Sequence, residues 1–281
     1  VTITRDIIKI KSVRSKILEP GIGYVRISQF QERTGADLRD QLKKLKEQNM
    51  ESLVLDLRNN PGGLLTAAVE VSEQFVADGQ MVVYIQGRDG KRDEYYAHAS
   101  NEDDEIPMVV LVNNGSASAS EIVSGVLQDV GRAVILGTVT FGKGSVQSIL
   151  PLSDDSGLRL TTAKYYTPSG RSIQNTGITP DILVEFNPDF KISSERKHAL
   201  VREADLEGHL ANPNGDDSIK EAVEAPKIGA VGVEDEDALK LSKEDEDYLR
   251  DNQLQEAVDL LKGWRILQGK APMFLTAGGR S

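Results

Sequence analysis

The chain has no cysteine, only three histidines and one tryptophan among its 281 residues. Without cysteine there is no thiol nucleophile, no disulfide and no cysteine-ligated zinc. His98, His198 and His209 stand far apart and match no metal-ligand spacing such as HExxH, so neither a zinc site nor a Ser-His-Asp triad is favoured. No apolar run approaches the roughly 18 residues that a membrane-spanning helix needs. Positive charge is in deficit: 33 Lys and Arg face 44 Asp and Glu, a net charge of -11, with the acids gathered toward the C-terminus. Such a surface repels phosphate backbones, so no nucleic-acid partner is expected. A starting Met and a basic-then-apolar leader are missing too, as expected of a piece of a longer precursor.

What is present reads as alternating strands and helices. Strand patterns stand at 23–30, 53–57, 81–85 and 108–112, and Leu38, Leu42 and Leu45 form one helical stripe within 36–48. Helices are expected over 64–76 and from Ile122 onward. Strand, glycine turn, helix, strand therefore occurs twice, at 53–85 and 109–136, and each is expected to be a βαβ crossover in a largely parallel sheet. Beyond Lys143 the pattern becomes antiparallel, with strands at 145–152 and 158–166 and a short last strand at 180–185. The composition then shifts. Residues 197–207 read as a charged helix, 211–243 as an acidic connector, and 247–268 as an amphipathic helix carrying Leu249, Leu254, Val258, Leu261 and Trp264, docking on this body or on another subunit.

The chemistry concentrates in three turns. Asn114-Gly115-Ser116-Ala117-Ser118-Ala119-Ser120-Glu121 joins a buried strand to a helix, where free N–H groups face forward. That position suits a nucleophile and an oxyanion, although residue types alone leave Ser116, Ser118 and Ser120 equivalent. With no usable Cys or His, the base left for a serine is a lysine. Lys143 lies between Gly142 and Gly144, which let the backbone approach another element closely. A lysine acts as a base only as the free amine, which asks for a site without a neutralising carboxylate. If the segment is extended, Gln147 shares a face with Lys143 and can orient the amine without adding charge. Arg58-Asn59-Asn60-Pro61-Gly62-Gly63 is the third turn, and a glycine N–H from it is expected to meet the Ala119 N–H in an oxyanion hole. A phosphate-binding reading of Gly137–Lys143 also arises, but residue 144 is Gly instead of Ser or Thr, and a strand-like run follows where a helix is needed.

Taken in order, Asp56–Gly63, Asn113–Glu121, Phe141–Gln147 and Lys164–Gln174 resemble the C-terminal processing (tail-specific) peptidases, serine endopeptidases with a Ser/Lys dyad. The likeness runs from about residue 1 to about residue 187. It implies Ser118 as nucleophile, Lys143 as general base, Gln147 as its holder, and Ala119 with Gly62 or Gly63 as oxyanion donors. It also implies a crotonase/ClpP-like α/β core over 14–187, no cofactor and no need of ATP. Further implications are protein substrates with exposed C-terminal tails, a homo-oligomer, an adaptor protein and a bacterial periplasmic location. Members of this family carry a PDZ domain upstream, of which 1–13 resembles the last strand, and 188–281 resembles the connector and helical tail of envelope members. A catalytically idle binding module of the same fold is the rival reading, and it predicts loss of the Ser or the Lys.

Overall fold

The computed structural model describes residues 11–98, 106–153, 156–188 and 250–269. Two five-residue runs with every position buried, β3 (Ser52–Asp56) and β6 (Met108–Val112), are flanked on both edges and pair in parallel with each other. Continuous burial is what a strand covered on both faces requires. Around them stand β1 (Val13–Glu19), β2 (Ile22–Ile27), β7 (Val134–Gly137) and β10 (Ile182–Leu183), in the order β1-β2-β3-β6-β7-β10. All neighbours are parallel except β1 and β2, which form a hairpin across Pro20-Gly21.

Three helices, α1 (Thr34–Glu47), α2 (Leu65–Ser72) and α3 (Ala119–Asp129), pack in sequence against one another. The expected stripe of α1 is the buried one: Leu38, Leu42 and Leu45 all lie in the core. Alternation along the strands sends Leu53, Leu55 and Val110 into this core. It leaves Val54, Val109 and Leu111, equally buried, to the opposite face. A fourth helix, α4 (Asn252–Leu267), packs on β3, β6 and β7 through Leu254, Ala257, Val258 and Leu261. It therefore docks on the body of its own chain. Trp264, expected on the apolar stripe, is instead half exposed.

The second expected crossover is present: β6, α3 and β7 form a parallel βαβ unit. The first is not. Both edges of β3 are filled by β2 and β6, so β4 (Met81–Gly87) leaves this sheet and joins a four-stranded antiparallel one. That sheet has the order β5-β4-β9-β8, with β5 (Arg92–Tyr96), β8 (Ser145–Pro151) and β9 (Gly157–Tyr166). The antiparallel pairing of β8 with β9 matches the expectation. The unit that does cross over ahead of β3 is β2-α1-β3. Strand β1 carries no clear alternation and was not among the expected strands. The expected elements at 197–207 and 211–243, Leu249, and most of 1–13 lie outside the described residues.

Beneath the site lies a buried charge cluster. Asp56, fully buried, accepts from Arg58 Nε (3.0 Å) and Nη2 (2.7 Å), from Arg26 Nη1 (3.2 Å) and from the Tyr24 hydroxyl (2.7 Å). Burial alone would raise its carboxyl group, but Arg58, then Arg26 and the Tyr24 hydroxyl, outweigh it and hold the group below the ordinary carboxylate range. Burial, followed by the Asp56 charge, pushes the Tyr24 phenol up. A carboxylate depressed in the folded state stabilises fully above its unfolded value, about 4, and progressively less as pH falls through the folded one. The thermal midpoint is therefore expected to decline as pH drops below about 4. Monitoring unfolding by circular dichroism across pH 2–7, with Asp56→Asn as the variant in which this dependence is weakened, checks it. Asp56 is thus committed to structure and is not an open magnesium ligand of the phosphate-loop type.

Candidate active site

The three turns singled out in the sequence meet at the mouth of α3. The two flanking serines are structural. Ser116 Oγ donates to Leu57 O (2.8 Å), and Ser120 Oγ donates to Asn60 O (2.9 Å); both residues are fully buried. Together with the Ala117 N–H, which also donates to Asn60 O (3.0 Å), they rivet this turn to the Arg58–Gly63 turn. Ser118, between them, is only half buried, and its hydroxyl donates to no carbonyl among the described residues. Its backbone sits at φ 55°, ψ -110°, a conformation that non-glycine residues adopt rarely and at some cost in strain. The geometry thus separates the three serines that residue types left equivalent.

The Pro-Gly-Gly turn lies directly against Ser118. A Cβ on Gly62 (φ +94°) would stand 2.6 Å from Ala117 O and 2.8 Å from Ser118 Cβ; one on Gly63 (φ +150°) would stand 2.0 Å from Phe30 O. Only glycine fits either place. Gly62 donates its N–H to Asn60 Oδ1 (2.9 Å), whose amide also donates to Ile27 O (2.8 Å). The N–H groups of Gly63 and Ala119, by contrast, have no acceptor among the described residues. Two uncommitted donors at the end of a helix form an anion-binding arrangement.

The residue that joins the parts is one to which residue type assigns no role in the chemistry. Glu121, fully buried in the first turn of α3, accepts four hydrogen bonds. Its Oε2 takes the Ser118 N–H (2.8 Å) and the Lys143 N–H (2.9 Å); its Oε1 takes the Thr140 hydroxyl and the Gly142 N–H (2.6 Å each). One carboxylate oxygen therefore holds the amides of both Ser118 and Lys143, which can be no further apart than those two bonds laid end to end. The Ser-x-x-Glu spacing of a helix-capping box was the signal available in the sequence. Thr140 extends the network by accepting from Ile178 N–H (2.7 Å).

Gly144, after Lys143, is a point of close backbone approach, as expected. A Cβ on Gly144 would meet Gln174 N at 2.5 Å, and its N–H donates to Gln174 Oε1 (3.1 Å). The loop is thereby pressed against residues 173–175. The Lys143 side chain is exposed, and no hydrogen bond or ion pair joins its amine to a described residue, Ser118 Oγ and Gln147 included. Gln147 is exposed on β8, beside a register shift between Val146 and Gln147. The backbones of Ser118 and Lys143, the expected dyad, are thus brought together, and their side chains are not. Leu64 and Phe141, both exposed apolar residues, adjoin Gly63 and Gly142 in the chain.

Residues 21–184 match the family model described as Peptidase family S41. The carboxy-terminal-processing protease of Bartonella bacilliformis is 47% identical over 214 residues, 75% of this chain and 49% of that protein. The carboxyl-terminal-processing protease of a Synechocystis species is 42% identical over 188 residues, 66% of this chain and 44% of that one. Among solved structures, the photosystem II D1 C-terminal processing protease superposes with a TM-score of 0.59 at 39% identity, covering 65% of this chain and 50% of that one. The chain spans about half the length of these curated relatives. The fold is the crotonase/ClpP-like one that the sequence resemblance implied. Sheet topology, motif order and these matches agree, and the chain belongs to peptidase family S41.

Proposed function

We propose that this chain is the catalytic part of an ATP-independent serine endopeptidase that cleaves protein substrates at or near their C-termini. The observation that carries the reading is the single Glu121 oxygen holding the Ser118 and Lys143 amides together. Ser118 Oγ attacks the scissile carbonyl while the Lys143 free amine takes its proton and later delivers it to the leaving amine. The oxyanion forms against the Ala119 N–H and a Pro-Gly-Gly N–H. Gly63 is favoured over Gly62 because the Gly62 N–H is already spent on Asn60. A substrate strand lying across the mouth turns the Lys143 side chain inward, displaces its water and lets Gln147 hold the amine without a charge. Exposed Leu64 and Phe141 favour apolar residues next to the scissile bond.

The naming of the Bartonella and Synechocystis relatives as C-terminal processing proteases supports this substrate class. A periplasmic location, a homo-oligomer and an adaptor protein belong to the same reading. Ser118→Ala is expected to lower cleavage of an unfolded protein by at least about 10³-fold, measured by the rate of appearance of new termini in mass spectrometry. Cleavage at the wild-type rate would end the assignment.

A further inference from the structure

The site has a support that lies outside the segment matching the family. Helix α4 begins 68 positions beyond the last matched residue, yet its first turn reaches Arg58, which opens the Pro-Gly-Gly turn. Gln253, 1% exposed, accepts at Oε1 from Arg58 Nη1 (3.0 Å) and donates from Nε2 to Val184 O (2.7 Å). The two bonds fix the sense of its amide: oxygen toward the guanidinium, nitrogen toward the backbone carbonyl. Beside it, Asn252 donates to Glu185 O (2.8 Å), so this turn of α4 is fastened to the chain leaving β10.

Arg58 is the first residue of the turn that supplies the oxyanion donor. Its own N–H donates to Asp56 Oδ1 (2.9 Å), as does Nε, while Nη2 goes to Oδ2. Asp56 thus clamps the main chain and side chain of Arg58 together, and Gln253 meets the guanidinium on another nitrogen. From there the chain runs through Asn59 at φ 56° to Gly62 and Gly63. A guanidinium set in a fixed fork transmits orientation to the backbone that carries it. Sub-ångström placement of the donors decides how well an oxyanion is held.

We infer that Gln253 is a positioning residue for peptide-bond cleavage, holding Arg58 and through it the Pro-Gly-Gly turn in register with Ala119. The inference rests on the reading of Ser118 as nucleophile. It makes the C-terminal helix part of the catalytic unit, although nearly 200 residues of sequence separate the two partners.

The test uses the full chain with an internally quenched peptide, comparing wild type, Gln253→Met and Gln253→Glu, each below its unfolding midpoint. Methionine keeps the volume and loses both bonds. It is expected to lower kcat roughly tenfold with KM changed less than about twofold. Glutamate still accepts from Arg58 and is expected to bring kcat back to within about threefold of wild type. A role in packing alone predicts the reverse order, since glutamate would bury a charge where methionine buries none. Wild-type kcat in the methionine variant, or a glutamate variant no faster than the methionine one, overturns the inference. Should Gln253→Met not fold, Gln253→Glu decides: kcat near wild type supports it, and a folded variant that has lost kcat overturns it. Ser118→Ala run alongside separates the two claims: undiminished cleavage there defeats the nucleophile assignment on which the inference rests, whereas wild-type kcat in Gln253→Met beside an inactive Ser118→Ala defeats the Gln253 link alone.

Discussion

Glu121→Ala is expected to lower kcat by about 100-fold or more while the chain still folds at reduced stability. The carboxylate accepts from Ser118, Lys143, Gly142 and Thr140; alanine leaves the Gly142 and Thr140 donors without it in a buried place and the Ser118 and Lys143 donors in a partly buried one. Each orphaned donor costs about 1–3 kcal/mol, less what water entering the gap recovers. The catalytic effect has a different origin. Ser118 and Lys143 belong to separate turns, and the shared Oε2 is what sets the distance between their backbones. A displacement of about 1 Å between reacting groups is enough for a 100-fold loss. Glu121→Gln is expected to fall between alanine and wild type. Its oxygen can keep the Ser118 and Lys143 pair, but its NH₂ then faces the Gly142 N–H. Steady-state kinetics beside a denaturant melt separates the two contributions, and a variant with wild-type kcat at lowered stability would show that Glu121 only stabilises.

Lys143→Arg is expected to be as inactive as Lys143→Ala, each down by roughly 10²–10⁴-fold in kcat. Arginine keeps the positive charge and the reach but does not give up its proton, so it cannot serve as base. If the lysine acted only by its charge, arginine would retain most of the activity. Neither substitution should change stability by more than about 0.5 kcal/mol, because the side chain is exposed and its amine has no bond to a described residue. The same peptide assay and melt report both quantities.

Particular residues show how far the sequence could be read. The stripe Leu38, Leu42, Leu45 and the buried runs of β3 and β6 follow from local periodicity, which needs no knowledge of neighbours. Gly144 was legible as a point of close approach, and the structure supplies the approaching residue, Gln174; the contacts of Ser118 and Ala117 with Gly62, and of Phe30 with Gly63, were not legible. The destination of β4 was not legible, because strand-helix-strand looks the same whether or not an edge is free to receive the second strand. Choosing Ser118 from its own residue type was equally out of reach. The distinction from Ser116 and Ser120 lies in which hydroxyl finds a carbonyl on another turn. Glu121 carried a spacing signal, the capping box, but its bonds to Gly142 and Lys143 depend on a loop 21 and 22 positions away. Gln253 carried none, since a contact with Arg58 across 195 positions leaves no local periodicity.

If Ser118 and Lys143 act as one unit, a double-mutant comparison reads that coupling without an intermediary. Cleavage rates of Ser118→Ala, Lys143→Ala and the double variant are compared on the same unfolded substrate. A hydroxyl without its base and a base without its hydroxyl are equally idle, so the double variant is expected to be no slower than the slower single one. Losses that multiply, or a Lys143→Ala enzyme that still cleaves at the wild-type rate, would contradict the account.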